Sequence, residues 1–235
     1  MLQAHLSRVP LPITDYITDT KSVLDQAIRV VQCMIDVSSH KGYLDTTLNL
    51  ISFQQMIMQG CWQTESCFKN IPNFNKRIIQ KLADKQIFHL CQLLPKVNNL
   101  NNFIRKELKE KDITTDELKE TYGALSRIPI VDLKYYLQAT NSMGDATTGP
   151  LTEGDEAVMT VSLERKQHKN SRTVVIKSFP KAKEAGWFLV VGNPITNELL
   201  TLKRVPLKRF TKRELQLLLP ENFRKEKLKL YLISD

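Results

Sequence analysis

Between positions 18 and 39, TDTKSVLDQAIRVVQCMIDVSS, the apolar residues Val23, Leu24, Ala27, Ile28, Val30, Val31, Met34 and Ile35 recur at helical spacing. With Asp19 and Thr20 as candidate N-caps, this pattern predicts a long, mostly buried helix over 18–39. The positions left over, Ser22, Asp25, Gln26, Arg29, Gln32, Cys33 and Asp36, form one narrow polar stripe against which a polar ligand can lie. Gly42 breaks the period, and Leu44, Leu48, Ile51, Met56 and Ile57 resume it over 43–59 until Gly60, predicting a second helix packed on the first. From Ile71-Pro72 the pattern shortens to helices over 75–94 with an internal break, 98–109, and 114–124 led by Thr114-Thr115-Asp116-Glu117. Pro95, the Asn-rich 98–102 and Asp112 punctuate them, as in a small helical subdomain.

After Arg127-Ile128-Pro129 the period becomes two. Ala157, Met159, Val161 and Leu163 alternate within 156–165, Leu215, Leu217 and Leu219 within 213–219, and Leu228, Leu230 and Leu232 within 227–233. With 131–137, 173–177, 187–191 and 198–203 this makes seven strand candidates, separated by turns such as Met143-Gly144-Asp145, Glu153-Gly154-Asp155 and Gly192-Asn193-Pro194. Short strands with no helical pattern between them predict an antiparallel β-sandwich. The expected fold is α+β and multidomain: a helical bundle over 1–73, a helical subdomain over 74–126 and a sandwich over 127–235.

Composition narrows the classes of function. Of 235 residues, 42% are hydrophobic and 25% charged, as in folded protein. No apolar run approaches the roughly 20 residues of a bilayer span. The start Met1-Leu2-Gln3-Ala4-His5 lacks the pattern of a secretory signal, so an intracellular protein without membrane contact is expected. Positive charge is uneven: residues 1–125 hold 15 basic and 13 acidic side chains, residues 126–235 hold 19 and 12. The cysteines at 33, 61, 67 and 91 match neither zinc pairs nor a disulfide framework and read as reduced core thiols. The histidines at 5, 40, 89 and 168 are scattered, so no metal site is expected. Phosphate-loop, dinucleotide-turn, nucleophile-elbow and zinc-protease motifs are all missing, and no catalytic residue is nominated. Asp155-Glu156-Ala157-Val158 superficially matches a helicase box, yet it follows a glycine turn and opens an antiparallel strand, which is the wrong setting for magnesium binding.

Two groups of residues are candidates for binding. Lys203, Arg204, Lys208, Arg209, Lys212 and Arg213 place six cations in eleven residues, suited either to phosphates or an acidic partner, or to a solvated sheet edge that resists aggregation. Arg29, with Gln26 and Ser22 along the same helical line, offers a guanidinium to a phosphate or base edge, or else pairs with Asp25 or Asp36. Trp62 and Trp187 read as core or domain-interface packing.

Several spaced segments together resemble a known module. They are Leu2-Gln3-Ala4-His5-Leu6-Ser7-Arg8, Val23-Leu24-Asp25-Gln26-Ala27-Ile28-Arg29, Met56-Ile57-Met58-Gln59-Gly60-Cys61-Trp62, Ile71-Pro72, and Phe179-Pro180-Lys181-Ala182-Lys183-Glu184-Ala185-Gly186-Trp187. The module is the Brl-type domain, shared with the Sec sixty-three translocation subunit, that follows the motor of Ski-two-like RNA helicases. Asp15-Tyr16-Ile17-Thr18-Asp19 is most similar to the two-cassette helicases of the activating signal cointegrator complex and of fungal ribosome quality control, with the spliceosomal helicase as near relative.

The resemblance implies a helical bundle, a helix-loop-helix piece and an immunoglobulin or fibronectin type III-like sandwich. It implies a ratchet-type helix whose strand-facing positions match Ser22, Gln26 and Arg29. It also implies a RecA-like helicase motor and single-stranded RNA as partners, further subunits of a helicase complex, and no cofactor in this chain, ATP and magnesium belonging to the motor. Relative to the family pattern the chain reads as truncated at both ends, with the sandwich lacking its last strand and 227–233 left as an unpaired edge.

Overall fold

A computed structural model describes residues 1–140, 146–147, 149–151, 154–166, 173–174, 179, 183–220 and 228–235. The turn at Met143-Gly144-Asp145, most of the 173–177 strand, His168 and the Pro180-Lys181-Ala182 portion of the resembling segment lie outside the described residues.

Helices α1 (Leu2–Ser7), α2 (Thr14–His40) and α3 (Leu44–Gln59) come first. The helix predicted over 18–39 starts four residues earlier, so Asp19 and Thr20 are interior rather than caps. Thr20 satisfies its hydroxyl on the Tyr16 carbonyl at 2.6 Å. The expectation that α2 is mostly buried is corrected: only Leu24, Val31, Ile35 and Ser38 are buried, while Val23, Val30, Met34 and Val37 are exposed. Apolar residues occupy two stripes of α2, and this chain covers one of them. Two of the expected core thiols, Cys33 and Cys91, are exposed as well, because Cys33 lies on the outward line of α2 and Cys91 on the open side of a short helix.

A second helical group comes next: a 3-10 turn Cys67–Asn70, α4 (Lys76–Asp84), α5 (Leu90–Leu93), a 3-10 turn Leu94–Asn99, α6 (Leu100–Asn102), a π turn Phe103–Glu107 and α7 (Thr115–Leu125). Asn75 caps α4 through the Ile78 amide at 2.9 Å, and Thr114 with Glu117 forms a reciprocal capping box on α7. This group buries its own core, from Phe68 and Ile78 through Phe103 and Ile104 to Leu125. Inside it Glu110, 2% exposed, accepts from Lys81 at 2.9 Å and pairs with Arg77 at 3.4 Å. The Lys81 hydrogen bond, aided by the Arg77 charge, holds its carboxyl below the usual range.

The β part comprises β1 (Val131–Thr140), β2 (Ala146–Thr147), β3 (Glu156–Arg165), β4 (Thr173–Val174), β5 (Lys183–Glu184), β6 (Gly186–Asn193), β7 (Glu198–Pro206), β8 (Phe210–Leu218) and β9 (Lys229–Ser234). They form two open antiparallel sheets, ordered β2-β1-β3-β8 and β7-β6-β9, beside a β4-β5 ladder. Residues of β9 pair on one side with β6 and form the rim of the second sheet, with no further strand beyond them among the described residues. Period two sorts the faces of β6: Leu189 and Val191 join Met159, Val161, Leu215 and Leu217 in a core between the sheets, whereas Phe188 and Val190 face Leu24, Val31, Ile35 and Ile51 of the helices. The layers therefore run α2 with α3, then β7-β6-β9, then β2-β1-β3-β8. Trp187 packs at the margin of the intersheet core, and Trp62 donates its indole N–H to Ser7 Oγ at 2.9 Å.

The β6–β7 turn fastens helices to strands. Helix α3 has no cap of its own from Tyr43. Instead Asn197, at φ 60°, accepts the Asp45 amide on its side chain at 2.7 Å and the Leu44 amide on its carbonyl at 3.2 Å. Leu199 N–H donates to Gly42 O at 2.8 Å. At the bulge after Val191, a Cβ on Gly192 would fall 2.6 Å from the Glu198 carbonyl oxygen and 2.8 Å from Leu44 Cδ1, so only glycine fits this approach unshifted.

Candidate nucleic-acid interface

Helix α2 has 27 residues, a rod of roughly 40 Å at 1.5 Å per residue. Its buried line, Leu24–Val31–Ile35–Ser38, fixes its rotation on α3 and the β7-β6-β9 sheet. At about 100° per residue, Ser22, Gln26, Arg29, Cys33 and Asp36 then fall on the opposite side, and all five are exposed. The expected trio Ser22, Gln26 and Arg29 is thus brought together on one outward line. The polar stripe faces away from the rest of the chain rather than into a packed layer.

Arg29 Nη2 donates to Asp25 Oδ2 at 3.2 Å, the expected i,i+4 pair, but it is not buried: the Arg29 side chain is 68% exposed. A guanidinium carries five donors, so one carboxylate contact leaves capacity for an anionic or base-edge ligand.

Sequence reasoning missed what runs beside this line. Tyr16, Val23, Val30 and Val37 lie at seven-residue intervals with Met34 next to them, with exposures from 36% at Val23 to 63% at Val37. On a helix this stripe sits about a quarter-turn from both the buried line and the polar line. Its signal was in the sequence as the second half of an unusually wide apolar arc.

The six cations of the second candidate do not form one patch. Arg204 sits on the helix-facing side of β7, ion-paired with Asp235 and 5.8 Å from the Phe188 ring. On the other side Lys203 Nζ donates across the sheets to Glu214 O at 3.2 Å, and Arg213 donates to Lys212 O at 3.0 Å. These two occupy backbone acceptors of β8, an edge strand, which is how a sheet edge is closed to further strands. Lys208 and Arg209 flank the β7–β8 turn. Lys212 lies on the outer sheet face, 5.9 Å over the Tyr136 ring, and hydrogen bonds from Thr160 and then Lys212 pull the Tyr136 hydroxyl below its ordinary pKa.

A third polar cluster ties α1 to the end of α3. Arg8 donates to Gly60 O at 2.7 Å and Gln59 O at 3.1 Å, meeting the carbonyl end of the helix. Glu65 accepts from Lys69 at 2.5 Å, from the Trp62 amide at 3.1 Å and from the Cys61 thiol at 3.2 Å. The Lys69 contact holds the Glu65 carboxyl below its usual range, whereas burial, reinforced by that carboxylate, pushes Cys61 up to about 11. Cys61 is therefore an inert thiol in a structural knot. Among the described residues no group of three or more metal-ligating side chains occurs, and no helix is long and apolar enough to cross a membrane.

Residues 1–235 match the Sec63 Brl domain from end to end. The chain belongs to the Sec63 Brl domain family. Activating signal cointegrator 1 complex subunit 3 of Bos taurus is 34% identical over 240 residues, which covers 87% of this chain and 11% of that protein. DExH-box ATP-dependent RNA helicase DExH14 of Arabidopsis thaliana is 34% identical over 238 residues, covering 100% of this chain and 10% of its own length. The human U5 small nuclear ribonucleoprotein 200 kDa helicase is 28% identical over 220 residues, covering 94% and 10% respectively. This Brl domain thus spans about a tenth of each of these relatives, two of which are named as helicases. Family membership agrees with the resemblance carried by the spaced segments of the sequence.

Proposed function

We propose that this Brl domain is a non-catalytic accessory module of a Ski-two-like ATP-dependent RNA helicase. It guides single-stranded RNA along Ser22, Gln26 and Arg29 and braces the motor against the neighbouring apolar stripe. One observation carries the reading: a long helix, fixed by one face, exposes a polar line with an arginine and an apolar stripe side by side. Polar groups with an arginine suit a strand of phosphates and bases, and a continuous apolar stripe suits a protein surface that excludes water. ATP and magnesium would be held by the motor. Three parts carry the work in this reading: residues 1–73, a helix-loop-helix piece over 74–126, and an immunoglobulin or fibronectin type III-like sandwich over 127–235. The setting in this reading is intracellular, in a ribosome quality control or coactivator complex; of these, the cointegrator complex is what one relative's name carries.

The test is binding of oligo-uridine by the polypeptide that carries this domain beside its motor. Affinity should fall with salt, and Arg29→Ala should weaken it about tenfold, the scale of one charge-assisted hydrogen bond. Unchanged affinity in Arg29→Ala, or binding indifferent to salt, overturns the reading. A second reading, a scaffold that docks a partner subunit without touching RNA, draws on the exposed cations of the β7–β8 turn. Charge reversal at Lys208, Arg209, Lys212 and Arg213 that abolishes partner capture while RNA affinity stays constant would favour it.

A further inference from the structure

The Asn-rich stretch is a part of the chain that neither candidate above uses. Four asparagines, Asn98, Asn99, Asn101 and Asn102, line a groove of about 420 Å³ between the 3-10 turn with α6 on one side and α7 on the other. Asparagine is a poor helix former because its amide competes with the backbone. The chain here passes from 3-10 to α to π winding within Leu94–Glu107, the kind of irregularity that recurs at binding sites. All four asparagines are exposed, so their amides are open to a ligand. Asn102 Nδ2 meets Asn99 Oδ1 at a long 3.4 Å, and Asn98 and Asn101 make no side-chain hydrogen bond among the described residues.

Beneath the amides lie the buried side chains Val97, Leu100 and Leu118, and Tyr122 stands 45% exposed at one end. The charged member of the lining, Lys119, is held by Asp116 at 2.9 Å. We propose that this groove takes an uncharged, extended peptide segment of a partner protein. Side-chain amides supply both a donor and acceptors, which matches successive main-chain amides. The apolar floor receives one side chain of the peptide, and Tyr122 covers it with a rigid face at low entropic cost. A neutral groove argues against a phosphate backbone, whose recognition relies on unpaired cations. The site is separate from α2 and stands whether or not RNA runs along Arg29.

The experiment pans a displayed library of short random peptides on the whole chain and measures the enriched peptides by fluorescence anisotropy and by the side-chain amide signals of asparagine in nitrogen-labelled protein. Enriched peptides should shift the amide signals of Asn98 and Asn101. Their affinity should hold between about 50 and 500 mM salt and fall about tenfold in both Tyr122→Ala and the double variant Asn98→Ala with Asn101→Ala. These positions are exposed, and an unchanged melting temperature separates lost binding from lost folding. The proposal is overturned if no enriched peptide loses affinity in these variants. It is equally overturned if oligo-uridine, rather than peptide, shifts the same amides with steep salt dependence, which makes the groove a nucleic-acid site.

Discussion

Two helical regions of this domain bury their apolar faces in different ways. The group from the Cys67 turn to α7 closes a core whose buried members, Phe68 to Leu125, are all its own, with Ile128 packed just beyond α7. The α2–α3 hairpin closes nothing alone: Leu24, Val31, Ile35, Leu44, Ile51 and Ile57 are completed by Phe188, Val190 and Leu199 of the sheet. The first is a local solution and the second a long-range one. Helix α2 is therefore held along one face only, and its outer surface is left exposed rather than packed.

The largest expected effect breaks the long-range weld. Gly192→Val should cost about 3 kcal/mol or more, read by chemical denaturation, because its side chain would have to occupy space held by Glu198 O and Leu44. Asn197→Ala removes the cap of α3 and puts alanine at a positive φ, for about 2 kcal/mol. Both should loosen α2 and α3 in hydrogen exchange while Phe68–Leu125 stays protected.

The converse change is Glu110→Gln, about 1 kcal/mol confined to the 67–125 group, since it removes the charge at the buried end of the ion pair while the partly exposed Lys81 keeps its contact with Lys109 O. The pH dependence has a definite sign. A carboxyl whose pKa is lowered by folding contributes fully above the unfolded value near 4.3 and loses that contribution as pH falls through its native pKa. Amides of this group should therefore begin to exchange on acidification below about pH 4, and Glu110→Gln should flatten that response. Arg29→Ala should be the smallest for stability, within about 0.5 kcal/mol by thermal melting, since its ion pair among the described residues is an exposed i,i+4 one. A larger loss would show that Arg29 supports the fold and undercut the role proposed for it toward RNA.

Legibility in the sequence divided along the same line. Strand β3 spans 156–165 as alternation predicted, and the Thr114–Glu117 capping box was readable because its signals lie within four residues. The start of α2 at Thr14 was not, since Ile13 brings no side-chain cap to mark it. Asn197 as the cap of α3 was out of reach of any local rule. At the candidate site, periodicity put Ser22, Gln26 and Arg29 on one line, but a period shows only which residues share a face. It does not show what covers that face, so the exposed Val23, Val30 and Met34 were counted as core.

The cap on α3 also sets a timetable. Asn197 lies 152 residues after the amide that it satisfies. At roughly 5–20 residues per second, synthesis reaches it on the order of 8–30 s after that amide has been made. During that interval α2 and α3 have neither their cap nor Phe188 and Val190 to cover Ile35 and Ile51, while the 67–125 group can already collapse on itself. These helices, translated before the 67–125 group, are thus settled after it. Nascent chains of this domain should need shelter at their N-terminal end, and a ribosome that stalls before residue 197 would leave that end sticky.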